Sequence, residues 1–117
     1  MADSPEAILQ RYFDAFARHA LPEMLAMLHD EVQAFYPAEP HRDWQGKKSA
    51  EAALSHYFKT FPDLRVDWRI ESVQPVPGQQ DTVEVTMRNR LLATGLERPV
   101  HVKYVLASGK IRAFHHL

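Results

Sequence analysis

Four tyrosines, seven histidines and a complete lack of cysteine set the chemical vocabulary of this 117-residue chain. A buried phenol offers a hydrogen-bond donor on an apolar body, and a neutral imidazole can take or give a proton near pH 7. Tyr12 lies in a run in which Ile8, Leu9, Tyr12, Phe13, Phe16 and Ala17 recur every three or four residues, so its ring belongs to the apolar face of a helix. It reads either as a core aromatic whose hydroxyl finds some partner, or as a donor to an oxygen that gains charge during a reaction. Tyr36 closes a short alternation, Val32-Ala34-Tyr36, just before Pro37. At the far end of the chain His115 and His116 are adjacent, so a regular strand points one inward and the other outward. Either is a candidate general base, and exposed sheet-end histidines are also common. His56 belongs to the polar side of a helix by its spacing.

The missing thiols exclude disulfides, cysteine nucleophiles and thiolate metal sites. No two histidines stand at the tight helical spacing of a zinc protease, and His101 and His115 could meet only as an isolated cross-strand pair. No metal and no cofactor is expected. Net charge is −1 with histidine neutral, and composition is 45% hydrophobic and 25% charged, which gives no field pulling the chain toward nucleic acid. The segment Met1-Ala2-Asp3-Ser4-Pro5-Glu6 is acidic and lacks an apolar signal core, and no window approaches the run of about 20 apolar residues that a membrane span needs. The expectation is one cytoplasmic domain over residues 1–117 that binds neither nucleic acid nor membrane.

The positioning elements follow from period. Ser4 caps a first helix, with Pro5 and Glu6 in its first turn, ending near His19-Ala20. Pro22 opens a second short helix carrying Leu21, Met24, Leu25 and Leu28, which Asp30-Glu31 breaks. Val32 to Tyr36 forms a short strand, and Pro37 to Gln45 a loop. Within it His41-Arg42-Asp43-Trp44 either gates a pocket mouth, with Trp44 as a lid, or is anchored by one buried indole. A third helix runs from about Lys47 to Thr60, with Ala50, Ala53, Leu54, Tyr57 and Phe58 inward, and Pro62 stops it. The period then changes to two. Leu64, Val66, Trp68 and Ile70 alternate with charged residues; Val83, Val85, Met87, Asn89 and Leu91 follow, then Val100, Val102, Tyr104 and Leu106, and a last strand from Ile111 to Leu117. Pro75 to Gly78, Thr94-Gly95 and Ser108-Gly109 mark the turns. Helices first and a meander after them define an α+β domain, with three helices covering one sheet face. On the other face Arg65, Arg69, Arg88 and Arg90 mix with Asp67, Glu71 and Glu84, either as a solvated surface or as cross-strand ion pairs at a dimer interface.

Three stretches carry a family likeness: Arg11-Tyr12-Phe13 through Asp30-Glu31 to Tyr36-Pro37, then Phe61-Pro62-Asp63-Leu64, then Gly109-Lys110-Ile111. Their order and spacing resemble the nuclear transport factor 2-like superfamily, which includes ketosteroid isomerases and SnoaL-like polyketide cyclases. The resemblance implies a cone of three N-terminal helices on a curved, mostly antiparallel sheet that encloses a pocket, and a homodimer through the outer sheet face. It places Tyr12 where the isomerases hold the tyrosine that donates to the enolate oxygen, and Tyr36 where they hold their aspartate base. A phenol is a poor base at neutral pH. The second oxyanion donor falls at Val102, or at His101 after a one-residue shift. The late aspartate typical of the cyclases is also missing, since only Glu84 and Glu97 follow Asp81 and only His115 and His116 titrate near neutrality in the last strand. Isomerase spacing turns Phe114 and His116 inward, and a one-residue slip would select His115.

The expected pocket is apolar and free of acidic side chains. Phe16, Tyr36, Trp44, Tyr57, Trp68, Met87 and Tyr104 are its candidate ligand contacts, with Tyr12, His116 and His115 as the candidate catalytic groups. It suits a small apolar molecule. Isomerase or cyclase chemistry on a ketone or polyketide-type compound is one reading. A non-catalytic binding or sensing domain that has lost the family carboxylates is the other.

Overall fold

A computed structural model describes residues 4–116; Leu117, expected in the last strand, and Met1 to Asp3 lie outside the described residues. Helix α1 spans Pro5–Ala17, with the Ser4 hydroxyl oxygen accepting the Ala7 N–H at 3.2 Å. Ile8, Leu9, Tyr12 and Phe13 are buried on its inner face. The helix stops before the expected His19-Ala20 because His19 takes a left-handed backbone with φ of 56°. Ala20 N–H then reaches Ala15 O at 2.8 Å and His19 N–H reaches Phe16 O at 3.0 Å, a Schellman closure. A histidine accepts this conformation because its ring is held from outside the helix, stacked on Phe58 at 4.3 Å with Nε2 2.9 Å from Leu64 O.

Helix α2, Leu21–Ala26, follows directly, and β1 runs Leu28–Phe35. Asp30-Glu31 therefore lies inside a strand rather than in a break. The alternation is hidden there because the pairing of β1 with the last strand shifts register between Leu28 and Gln33. The expected loop 37–45 contains a single 3₁₀ turn, Pro40–Arg42, and a two-residue strand β2, Trp44–Gln45, paired antiparallel to β1. Helix α3 spans Lys47–Thr60 as its pattern predicts.

The meander comprises β3 Val66–Pro75, β4 Thr82–Leu91, β5 Glu97–Ala107 and β6 Lys110–His116. Strand β3 starts two residues later than the alternation suggests. Leu64 N–H is tied to Phe61 O, and the Arg65 guanidinium donates to Pro62 O and Leu64 O, so residues 61–65 form a turn. The six strands lie in the order β2-β1-β6-β5-β4-β3, with only the β1–β6 pair parallel, in an open curved sheet. Pro75 is tolerated because β3 is an edge. Bulges in the β3–β4 pair near Glu71 and in the β5–β6 pair after Val105 bend the strands. Helix α1 packs on β3 and β6, and α3 on β1 and β2, all on one face. Between them Leu9, Met24, Leu28, Val32 and Ile111 are fully buried. Among the described residues, no helix is long and apolar enough to cross a membrane.

Candidate functional site

Beyond this packed part of the core, helices and sheet diverge and leave a hollow of about 860 Å³. Its floor is aromatic. Tyr12 from α1 lies 5.6 Å from the Phe114 ring, Tyr104 from β5 lies 5.2 Å from the same ring, and Trp44 touches it at 5.3 Å. These edge and tilted contacts are the arrangement that ring quadrupoles favour. Phe13 stacks on Trp68 at 4.9 Å to extend the wall. Inward residues of three successive strands supply the rest of the sheet side, Met87 and Asn89 from β4, Arg98, Val100 and Val102 from β5, and His116 from β6, while Ala53, Leu54 and Tyr57 of α3 face them. Alternation on the sheet explains why these strand positions, two apart, share one face.

Four phenols line the hollow, and three of them, Tyr12, Tyr36 and Tyr104, lie close enough to influence one another. Burial pushes the hydroxyl pKa of Tyr12 far above the ordinary 10, with the neighbouring Tyr36 adding to it. Tyr104 is raised strongly by the same burial, then by Tyr12 and Tyr36. Tyr36 is raised by burial, opposed by Arg42 and reinforced by Asp43. All three stay protonated donors, and none of their hydroxyls hydrogen-bonds to another described residue.

The His116 imidazole lies flat on the Tyr36 ring, 4.2 Å between centroids at 17°. Burial lowers its pKa below the ordinary 6.5, followed by the positive Arg42 and by His115, so it is a neutral ring at pH 7. Its Nε2 is buried without a partner, as is Trp68 Nε1. The Arg42 guanidinium covers Tyr36 at 4.6 Å from the ring centre and pairs with Glu39 at 3.7 Å. Asp43 closes the loop: its Oδ1 accepts the Tyr36 backbone N–H at 2.7 Å. That bond brings the start of β2 back beside the end of β1 and seats Trp44 against the floor.

Of the residues singled out from sequence, Tyr12, Phe16, Tyr36, Trp44, Tyr57, Trp68, Met87, Tyr104 and His116 all line this hollow. His115 does not. It lies on the other sheet face, stacked on Phe35 at 4.7 Å and facing Lys103, so the isomerase register and not the slipped one applies. Val102 is buried inward, whereas His101 points outward to the Thr86 hydroxyl at 3.3 Å and does not pair with His115. Trp44 is a buried anchor. His56, assigned to the polar side of α3, reaches the hollow's edge. The expectation of a hollow without acids is overturned, because Asp43 lines it. Arg42 and Asp43 belong to the segment His41-Arg42-Asp43-Trp44 that the sequence offered as a pocket mouth, and both line the hollow; Asn89 and Arg98 are polar wall residues that the sequence did not single out, although strand alternation was the available signal.

Residues 9–114 match the model of the SnoaL-like domain family, and the chain belongs to that family, within the nuclear transport factor 2-like superfamily. Its fold is shared with a candidate polyketide cyclase, protein SMa1630 from Sinorhizobium meliloti, at 13% identity and TM-score 0.73, over 98% of this chain and 96% of that one. It is also similar to a candidate calcium/calmodulin-dependent protein kinase type II association domain from Thiobacillus denitrificans, at 18% identity and TM-score 0.73, over 99% and 95% of the two chains. A computationally designed 17-OHP binder matches at 16% identity and TM-score 0.71, over 95% and 87%. No curated protein matches the chain significantly in sequence. At these identities the neighbours define the fold, and the same fold carries enzymes, binders and association domains.

Proposed function

We propose that the hollow is a small-molecule site for a neutral, largely apolar compound bearing a carbonyl oxygen, on which the chain moves a proton. The observation that carries this reading is the convergence of three phenols, kept protonated by burial and without internal partners, on an apolar hollow of ligand size. Unpaired donors in a low-dielectric site stabilise an oxygen that gains negative charge, and this is the requirement for removing a proton beside a ketone. Tyr12 is the donor to that oxygen, and His116, neutral at pH 7, is the imidazole among the sequence candidates that lines the same hollow. Phe16, Trp44, Tyr57, Trp68 and Met87 would grip the apolar body. That a designed chain of this fold binds 17-OHP supports a ligand of similar polarity. Homodimerisation through the outer sheet face and a cytoplasmic setting complete the proposal.

The test uses the two tryptophans of the wall. Fluorenone should perturb Trp44 and Trp68 fluorescence saturably and more tightly than fluorene, which has the same shape and no carbonyl. An unsaturable response, or equal affinity for both, would count against the site. Deuterium exchange beside the carbonyl of 2-tetralone then reports proton transfer.

A second reading, binding without catalysis, is favoured by the geometry of His116. Tyr36 covers one face of the imidazole and Nε2 is buried, so the ring must move to reach a substrate. Saturable ketone binding with no exchange above buffer would select it.

A further inference from the structure

From the loop geometry we infer that the proton is taken by the Asp43 carboxylate, making this residue, rather than His116, the general base of the site. The inference rests on the pocket reading above and assigns a role within it. Among the described residues no other carboxylate lines the hollow. Asp43 is half-buried and anchored by one oxygen only: Oδ1 accepts the Tyr36 N–H at 2.7 Å, and Oδ2 has no hydrogen bond or ion pair with a described residue.

No arginine, lysine or histidine among the described residues forms an ion pair with it, Arg98 of the same hollow included. Arg42 lies over the Tyr36 ring and pairs with Glu39, and His41 is 4.0 Å from the same Glu39 oxygen. The anion is thus fixed by the backbone of the residue whose phenol shares the hollow with Tyr12 and Tyr104. A held carboxylate and protonated donors lining one hollow are the pair that enolisation uses. On 2-tetralone the step balances simply. The Asp43 oxygen removes a proton from C1, the C–H electron pair becomes the C1–C2 double bond, and the carbonyl π pair moves onto oxygen, which a phenol O–H holds. Reversal with a deuteron returns labelled ketone.

Asp43→Asn tests this cleanly, because the asparagine Oδ1 can still accept the Tyr36 N–H and keep the loop closed. The expected result is exchange of 2-tetralone reduced about 100-fold or more, with fluorenone affinity within about twofold of the parent, since a fixed base contributes to the proton step more than to binding. Glu51→Gln, which removes an exposed carboxylate of α3 that does not line the hollow, should keep at least about half the rate, because exposed charges contribute little. Circular dichroism of Asp43→Asn checks the fold. If that variant unfolds, Asp43→Glu, which keeps the charge but displaces it, should bind fluorenone and exchange more slowly than the parent. Full exchange by Asp43→Asn overturns the inference and leaves the pocket reading standing, and so does a parent protein that binds fluorenone yet exchanges no faster than acetate. Failure of the parent to bind fluorenone overturns the pocket reading itself and this inference with it.

Discussion

At the floor of the hollow, Phe114 is enclosed by Tyr12, Tyr104 and Trp44 and is almost wholly buried; at the mouth, Phe61 touches Tyr57 at 5.4 Å and stays 48% exposed. The two ends differ in what holds them. The floor is fixed by nonpolar packing between α1, β2, β5 and β6, so its donors are aimed without any hydrogen bond to aim them. The mouth is fixed by a backbone contact, Tyr36 N–H to Asp43, and by charges, Arg42 with Glu39. A hollow built this way separates neutral donors from charge. The floor carries the packing and the phenols Tyr12 and Tyr104, and the mouth carries Arg42, Glu39 and Asp43.

The sharpest way to break that division is Phe114→Ala. Truncating a buried ring in a cluster of four aromatics should cost about 3–5 kcal/mol of stability, as other buried phenylalanines do. Urea denaturation measures it, and a loss below about 1 kcal/mol would mean the floor is not a packed unit.

A smaller effect, with the opposite balance, is expected for Tyr12→Phe. Its hydroxyl satisfies no described partner, so stability should stay within about 0.5 kcal/mol or rise, while fluorenone affinity should fall by about 0.5–1.5 kcal/mol, roughly two- to twelvefold. Tryptophan fluorescence titration reads the second number. Unchanged affinity would move the donor role to Tyr104 or Tyr36.

The pH dependence of stability tests the half-buried side of the hollow. The folded-state pKa of His116 lies below the ordinary 6.5, and that of His115 is shifted the same way by burial and by Lys103. Below pH 6.5 the unfolded chain therefore binds more protons at these sites than the folded one, so stability falls as pH drops through that value toward the folded-state pKa. Above 6.5 both states are neutral at these sites and the contribution is complete. Thermal unfolding between pH 7.5 and 5 should show the decline, and His116→Gln should flatten part of it. An identical slope in the variant would remove His116 from the account.

How legible this was depends on distance along the chain. The periods of α1, α3 and the meander follow from residues three, four or two apart, and so did the inward side of Tyr12, Met87 and Tyr104, whereas the choice of His116 over His115 came from the isomerase spacing. Features set by remote partners were not legible. His19 ends α1 in a left-handed turn because Leu64 O and Phe58 hold its ring, 45 and 39 positions away. The polar stretch His29 to Glu31 lies within β1 at the register shift between Leu28 and Gln33 in its parallel pairing with β6, which hides any alternation. Asp43 reaches the hollow through a loop closure that no periodicity encodes. The family resemblance marked the place of a base at Tyr36, and side-chain chemistry alone could not show that a carboxylate returns beside it.

Phe61→Ser makes the smallest predicted change and isolates the mouth. The ring is half exposed and contacts Tyr57 alone among aromatic rings, so little apolar area returns to water on its removal. Stability should change by no more than about 0.5–1 kcal/mol, several-fold less than for Phe114 although the side chain deleted is the same. Because Phe61 also borders the hollow, the variant reports whether the mouth grips a ligand. If the apolar body is held by the floor and middle walls, fluorenone should bind within about twofold of the parent. A tenfold loss would instead make the mouth a binding element and place the body of the ligand near α3, beside Tyr57.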